Sequence, residues 1–255
     1  MKDLPFQLKD TKISKPIMVV GLPGIGNVGK IVTDYVIEQL KAKEIGKFYI
    51  DTPPMVFPTK DGIEFPSVKL YHATSQKNSF LFIAGDYQPR ESKCFDFCSQ
   101  IIDLFKRLKG KSIIILGGAS LPDVDADPSI YAISSKTALI EKYRKIDPSL
   151  KSAHGNLGPI VGVAGVLLGL SKDKNIDATA FLIETTDKEY FNAKSVRKAL
   201  QLLNKLTGIS INTKKFDSQM KNMGAEISAI QNFMKDEATE KSKTKEETGG
   251  VGYIG

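Results

Sequence analysis

Gly24, Gly26 and Gly29 stand at the spacing G-x-G-x-x-G, directly after the β-branched run from Ile17 to Val20. Behind them Ile31, Val32, Tyr35, Val36 and Leu40 recur three and four apart, the period of a one-sided helix. Glycines in such a strand–turn–helix let the backbone approach a bound phosphate, which the free N–H groups of the helix N-terminus then meet. Asp51 closes the next apolar run, where a dinucleotide site would place a carboxylate on a ribose. The same glycines would equally serve a strand and helix that simply pack closely. The motif leaves both readings open.

A second glycine-rich stretch, HGNLGPIVGVAGVLLGL, runs from His154 to Leu170, and Gly117-Gly118-Ala119-Ser120 ends a central apolar run. Glycines at the carboxyl end of a strand often border a crevice in an open α/β sheet. His154 is a group whose ordinary pKa lies near neutrality. Gly24, Gly26, Asn27, Gly29, Gly118, Ser120, His154, Gly155 and Asn156 therefore form the candidate anion or ligand crevice.

Other chemistries find less support. Ser120 lies in GGASLP rather than G-x-S-x-G. Lys30 follows Gly29 without the spacing or Ser/Thr partner of a P-loop. Asp123, Asp125 and Asp127 alternate as at the start of a calcium loop, but the glycine is missing and Ser134 stands where the closing Glu belongs. Cys94 and Cys98, four apart on a helical pattern, have only His72 and His154 to join them, too few for a zinc set. No metal and no cofactor are expected.

The elements that must carry these residues read as α/β. Strands are expected over Ile17 to Val20, Lys47 to Asp51, Ser112 to Leu116, Ser129 to Ser135 and Ile176 to Glu184. Ser67 to Thr74 and Ser79 to Gly85 form a hairpin about Gln76–Asn78, and Asp61-Gly62 marks another turn. Helices are expected from Arg90 to Lys109, with Phe95, Cys98, Ile101, Ile102, Phe105 and Leu108 as stripe, and over Lys136 to Arg144. Two more follow, from Gly158 to Leu170 and from Ala193 to Leu206, the last capped by Gly208. The fold class is thus a mixed, mostly parallel sheet flanked by helices in one domain, residues 1–210, with an added C-terminal helix and a flexible tail.

Composition agrees. The 255 residues are 41% hydrophobic and 25% charged, values of a globular chain. The net charge of +7 comes mostly from lysines interleaved with acids, without an aromatic-rich basic patch, so a solvated surface is read and no nucleic acid. The uncharged run in the middle is too short and too rich in glycine to span a bilayer. A soluble, cytoplasmic protein that does not engage membranes is expected.

After residue 210 the pattern changes. Phe216, Met220, Met223, Ile227, Ile230 and Met234 step four and three apart in a polar setting. This narrow seam over residues 211–235 suits helix pairing between copies, or a last helix docked on its own domain. Residues 236–255 begin as a charged tether and finish Gly-Val-Gly-Tyr-Ile-Gly. The aromatic tip and its carboxylate suit capture in a partner's pocket.

Taken together, GLPGIGNVGKIVTDYVIEQL, LGGAS, HGNLGPIVGVAGVLLGL and the YIG ending resemble the archaeal branch of the proteasome-assembly-chaperone family. The resemblance covers roughly Pro16 to Leu206 and the tail. It implies a nucleoside-phosphorylase-like α/β domain without established catalysis, homo-oligomers, and a chaperone or binding role on the 20S proteasome core. It also implies docking of Tyr253, Ile254 and Gly255 between α-subunits, where the terminal carboxylate meets a lysine. The tail departs from the family's hydrophobic-Tyr-any ending, because Tyr253 is third from the end and Gly252 precedes it. The alternative is an enzyme that binds a nucleotide or nucleoside in the first glycine turn.

Overall fold

In a computed structural model, residues 13–48, 51–121, 124–186 and 188–218 are described. The chain divides into two units, Met1–Thr213 and Lys214–Gly255, and the sheet with its helices belongs to the first. β1 (Ile17–Gly21) leads through a short 3-10 turn (Ile25–Asn27) into α1 (Val28–Leu40). There follow β2 (Lys43–Phe48), a small hairpin of β3 (Phe57–Thr59) and β4 (Gly62–Glu64), then β5 (Val68–Ser75) and β6 (Asn78–Gly85). α2 (Glu91–Arg107), β7 (Ser112–Ser120), β8 (Ile130–Ser134), α3 (Thr137–Ile146) and β9 (Lys151–Ser152) come next. α4 (Gly162–Asp173), β10 (Ala178–Thr185) and α5 (Ala193–Thr207) complete the unit.

The large sheet has the order β2-β5-β6-β1-β7-β10-β8-β9. Its centre, β6-β1-β7-β10, is parallel, while β5, β2 and β8 join antiparallel. Central strands covered on both faces must be apolar on both faces, which is why IMVVG and SIIIL read as unbroken runs. Met18, Val20, Ile113 and Ile115 pack with Cys94, Phe97, Cys98 and Ile101 of α2 and with Leu167 of α4. α1 and α5 pack against each other, α1 on β1 and β7 and α5 on β10.

Most expected elements are present, and the differences have physical reasons. The second strand is Lys43–Phe48 rather than Lys47 to Asp51. It is a half-buried edge strand with an irregularity between Glu44 and Gly46, so its polar alternation looks like a loop in the sequence. β7 runs on through Gly117 to Ser120 beside β10 instead of turning at Leu116. Phe95 lies one residue off the α2 stripe and is 62% exposed; Cys94, Phe97 and Leu104 take the buried positions. The β5–β6 loop is the tight one expected, with Gln76 and Lys77 both at positive φ and Ser75 paired with Asn78.

α4 begins at Gly162, not Gly158. The chain before it folds back over the helix start, and a Cβ on Gly165 would lie 2.0 Å from the Ile160 carbonyl oxygen. Gly165 thus admits its own incoming loop rather than a neighbouring helix, while Gly158 and Gly169 face open space. Of the expected seam, Phe216 falls in a helical stretch within the described residues. Met220, Met223, Ile227, Ile230 and Met234 lie outside them, as do Tyr253, Ile254 and Gly255. Among the described residues no helix is long and apolar enough to cross a membrane.

Candidate functional site

The glycine turn is first of all a packing device. A Cβ on Gly29, in the first turn of α1, would lie 2.2 Å from the Leu116 carbonyl oxygen of β7. On Gly21 it would meet the Gly29 carbonyl oxygen at 2.2 Å and Thr33 Oγ1 at 2.0 Å. Gly26 has φ +56 and sits against Thr185, and Gly118 sits against the Ile25 carbonyl. The close approach these glycines allow is to the protein's own backbone. Asn27, at φ 46, does not cap α1 with its side chain; its Nδ2 donates to the Tyr190 carbonyl at 3.0 Å.

Asp51 is likewise committed. It takes hydrogen bonds from the Arg90 backbone N–H at 2.8 Å and from Arg90 Nε at 2.8 Å, with Nη2 at 2.7 Å. The hydrogen bonds and the charge of Arg90 hold its carboxyl below the usual range. It ties the loop after β2 to the start of α2 rather than standing ready for a ribose.

A cleft of about 310 Å³ opens at the carboxyl ends of β1 and β7. There the chain order reverses, since β6 flanks β1 on one side and β7 on the other, the usual place for a ligand crevice in an open α/β sheet. Gly24, Gly118 and Ser120 of the expected set line it. Gly26, Asn27 and Gly29 do not, and His154 borders a separate hollow on the other side of the Leu157–Ile160 loop. Gly155 and Asn156 line neither; the loop that carries them is exposed and held by Ser152, whose carbonyl accepts from Asn156 Nδ2.

The walls are apolar: Leu22, Ile25, Leu157, Ile160, Val161 and Leu182. Ser120 and Gln88 are the polar side chains, and among the described residues none that lines the cleft is charged. Sequence reading missed Gln88, which no pattern marks. Its Nε2 donates to the Pro23 carbonyl, and its Oε1 accepts from the Val163 N–H at 3.1 Å, so it clamps the first glycine turn to the start of α4.

A cleft this small and uncharged fits an apolar group better than a phosphate, whose desolvation it does not offset with a cation. Inorganic phosphate, nucleotides and nucleosides are therefore expected to move the melting temperature by less than about 1 °C at millimolar concentration. Differential scanning fluorimetry checks this, and a concentration-dependent rise with any of them would restore the nucleotide reading. Of the alternating acids, Asp125 and Asp127 are used locally, the first through its N–H on Glu184 and the second by Lys198 Nζ at 2.6 Å. Among the described residues no group of three His, Cys, Asp or Glu side chains is placed to hold a metal ion.

Comparison with known proteins places this geometry among relatives. The PAC2 family matches residues 18–231. Among solved structures, Pyrococcus furiosus PbaB, described as an archaeal proteasome activator, superposes with a TM-score of 0.79 at 25% identity, over 91% of this chain and 100% of that one. Pyrococcus furiosus PbaA, described as an archaeal homolog of proteasome-assembly chaperone, gives a TM-score of 0.75 at 18% identity, over 97% and 100%. A Methanocaldococcus jannaschii protein, MJ1210, is 22% identical over 236 residues, 91% of this chain and 90% of its own length.

Proposed function

Because the chain belongs to the PAC2 family, we propose that it is a non-enzymatic proteasome assembly chaperone or proteasome-binding factor, acting on the 20S core. The likeness to PbaB, complete over that chain's length, carries this reading. The cleft supports it from the other side, since among its described lining residues there is no general acid, base or phosphate-binding cation.

In this reading the protein works as a homo-oligomer, and Tyr253, Ile254 and Gly255 dock on the α-subunits. Ile254 supplies the apolar contact that Gly252 does not. The seam from Phe216 through Ile227 and Ile230 to Met234 joins copies of the chain.

Capture of 20S particles by the tagged full chain and by a chain lacking Val251 to Gly255 tests the proposal. The full chain retains the particle, and the shortened one loses it by tenfold or more. Equal capture by both removes the tail from the mechanism; no capture by either overturns the proteasome assignment.

A further inference from the structure

The loop that carries His154 parts two hollows. The one described above is uncharged; the other, of about 510 Å³, is not. β8 with Ser135 forms one side of it, α4 another, and the loop from Ala153 to Ile160 the third. Ile133, Leu157, Ile160 and Leu168 give it an apolar body, while Lys172 and His154 also line it. No acid stands among its described lining residues. Lys172 has no ion pair among the described residues. Of His154 the backbone N–H is engaged, donating to Ser152 Oγ at 3.2 Å, and the ring has no partner among them.

Glycine shapes the α4 wall. Gly165 and Gly169 line the hollow one turn apart. Glycine is a poor residue for a helix interior, so each position calls for a reason. At Gly165 the reason is the Ile160 carbonyl, which lies where a Cβ would go. At Gly169 nothing lies within 4 Å of that place. The bare helix there widens the hollow without admitting any other part of the described chain.

The other polar groups around the hollow are already paired. Ser134 Oγ and Thr179 Oγ1 share a hydrogen bond of 2.7 Å. Ser135 Oγ donates to the Ile176 carbonyl at 2.7 Å and accepts from the Ala178 N–H at 3.0 Å. β8 is flanked by β10 and β9, so it offers no open edge. An extended peptide would bury its amides there without partners. A compact molecule with one charged end would not.

We propose that this hollow binds a small monocarboxylate with an apolar body. The carboxylate takes a charge-assisted hydrogen bond from Lys172 Nζ and a second from the His154 ring, and the body lies on Leu157, Ile160 and Leu168. The one fixed positive charge of the lining matches the one negative charge of such a ligand. A nucleotide or inorganic phosphate brings more charge than the lining offsets and less apolar surface to bury. The volume falls within the range of small-molecule sites, about 300–1,000 Å³.

Isothermal titration calorimetry of the full chain with octanoate tests this, against octanol, octylamine and acetate. Octanol keeps the body without the charge, octylamine reverses the charge, and acetate lacks the body. Octanoate is expected to bind at submillimolar concentration, with octanol about tenfold weaker or more, and neither octylamine nor acetate saturates at millimolar concentration. Lys172→Glu weakens octanoate about tenfold, the size of an ion pair lost and reversed at a partly exposed site. Gly169→Leu fills the hollow from inside α4 with a better helix former, so it abolishes binding without lowering the melting temperature. Lys174→Glu, at the end of α4 but outside the lining, changes the affinity less than about twofold. Where Lys172→Glu fails to fold, the ligand series and Gly169→Leu decide. No binding of octanoate at millimolar concentration, equal binding of octanol or octylamine, a Gly169→Leu chain that keeps its affinity, or an equal effect of Lys174→Glu would each overturn the proposal. So would a short peptide with an apolar C-terminal residue that displaces octanoate at lower concentration than octanoate itself needs, since the hollow would then belong to a protein terminus.

Discussion

Gly29→Ala is expected to cost about 3 kcal/mol or more of folding stability, toward the upper end of what overpacking does in a protein interior. The added methyl would lie 2.2 Å from the Leu116 carbonyl oxygen and 3.4 Å from the Gly21 Cα. Neither is the end of a flexible side chain, so the clash is relieved only by moving α1 off the sheet. That movement would open the packing of Val28, Val32 and Val36, all fully buried. Against a typical total of 5–15 kcal/mol, a loss of about this size leaves a marginal protein. Gly158→Ala, at a glycine facing open space, is expected to stay within about 0.5 kcal/mol. Urea titration of the two variants reads the contrast. If Gly29→Ala is as stable as wild type, the turn is not held by close packing and a bound ligand regains its claim on the motif.

Glu184 carries the second large effect. The residue is 3% exposed at the end of β10. Oε1 accepts from the Asp125 N–H and Oε2 from the Ser129 N–H, each at 2.9 Å, so one side chain pins the second half of the loop before β8. Its own carbonyl accepts from Ser195 Oγ at 2.6 Å, which extends the tie to the first turn of α5.

Burial pushes this carboxyl up, but hydrogen bonds from the Asp125 and Ser129 backbone and the Ser129 hydroxyl, with the charge of Lys151, outweigh it and leave the pKa lowered. A carboxylate with a folded pKa below its unfolded value of about 4.3 stabilises the fold fully above that value. The contribution is lost as pH falls through the folded pKa, because the protonated acid no longer accepts from both N–H groups. Glu184→Gln is expected to cost about 2–3 kcal/mol at pH 7, since its amide would turn a donor toward a donor. The gap between wild type and variant then closes on acidification below about pH 4. Denaturation curves across that range check it; a gap independent of pH would mean that the charge of Glu184 does not hold the loop.

Much of the architecture is already written in local patterns. The apolar runs of β1, β7 and β10, the glycine turn into α1, the β5–β6 hairpin and the stripe of α5 each carry their own period, and burial on one or both faces imposes that period directly on residue choice. The resemblance to a chaperone family was legible for the same reason, since the strand–turn–helix segments that carry it are contiguous in sequence. The edge strand β2 is displaced from its expected place because the irregularity between Glu44 and Gly46 breaks its alternation.

What the glycines and acids are for was decided only in three dimensions. Gly24, Gly26 and Gly29 satisfy a phosphate-binding spacing, yet which atoms approach Gly29 depends on the Leu116 carbonyl, far along the chain. Asp51 looks available until Arg90 is beside it, and the cleft's lack of charge follows from which segments meet, not from any one of them. Sequence fixes periods along the backbone; contacts between distant segments fix which groups remain free to act.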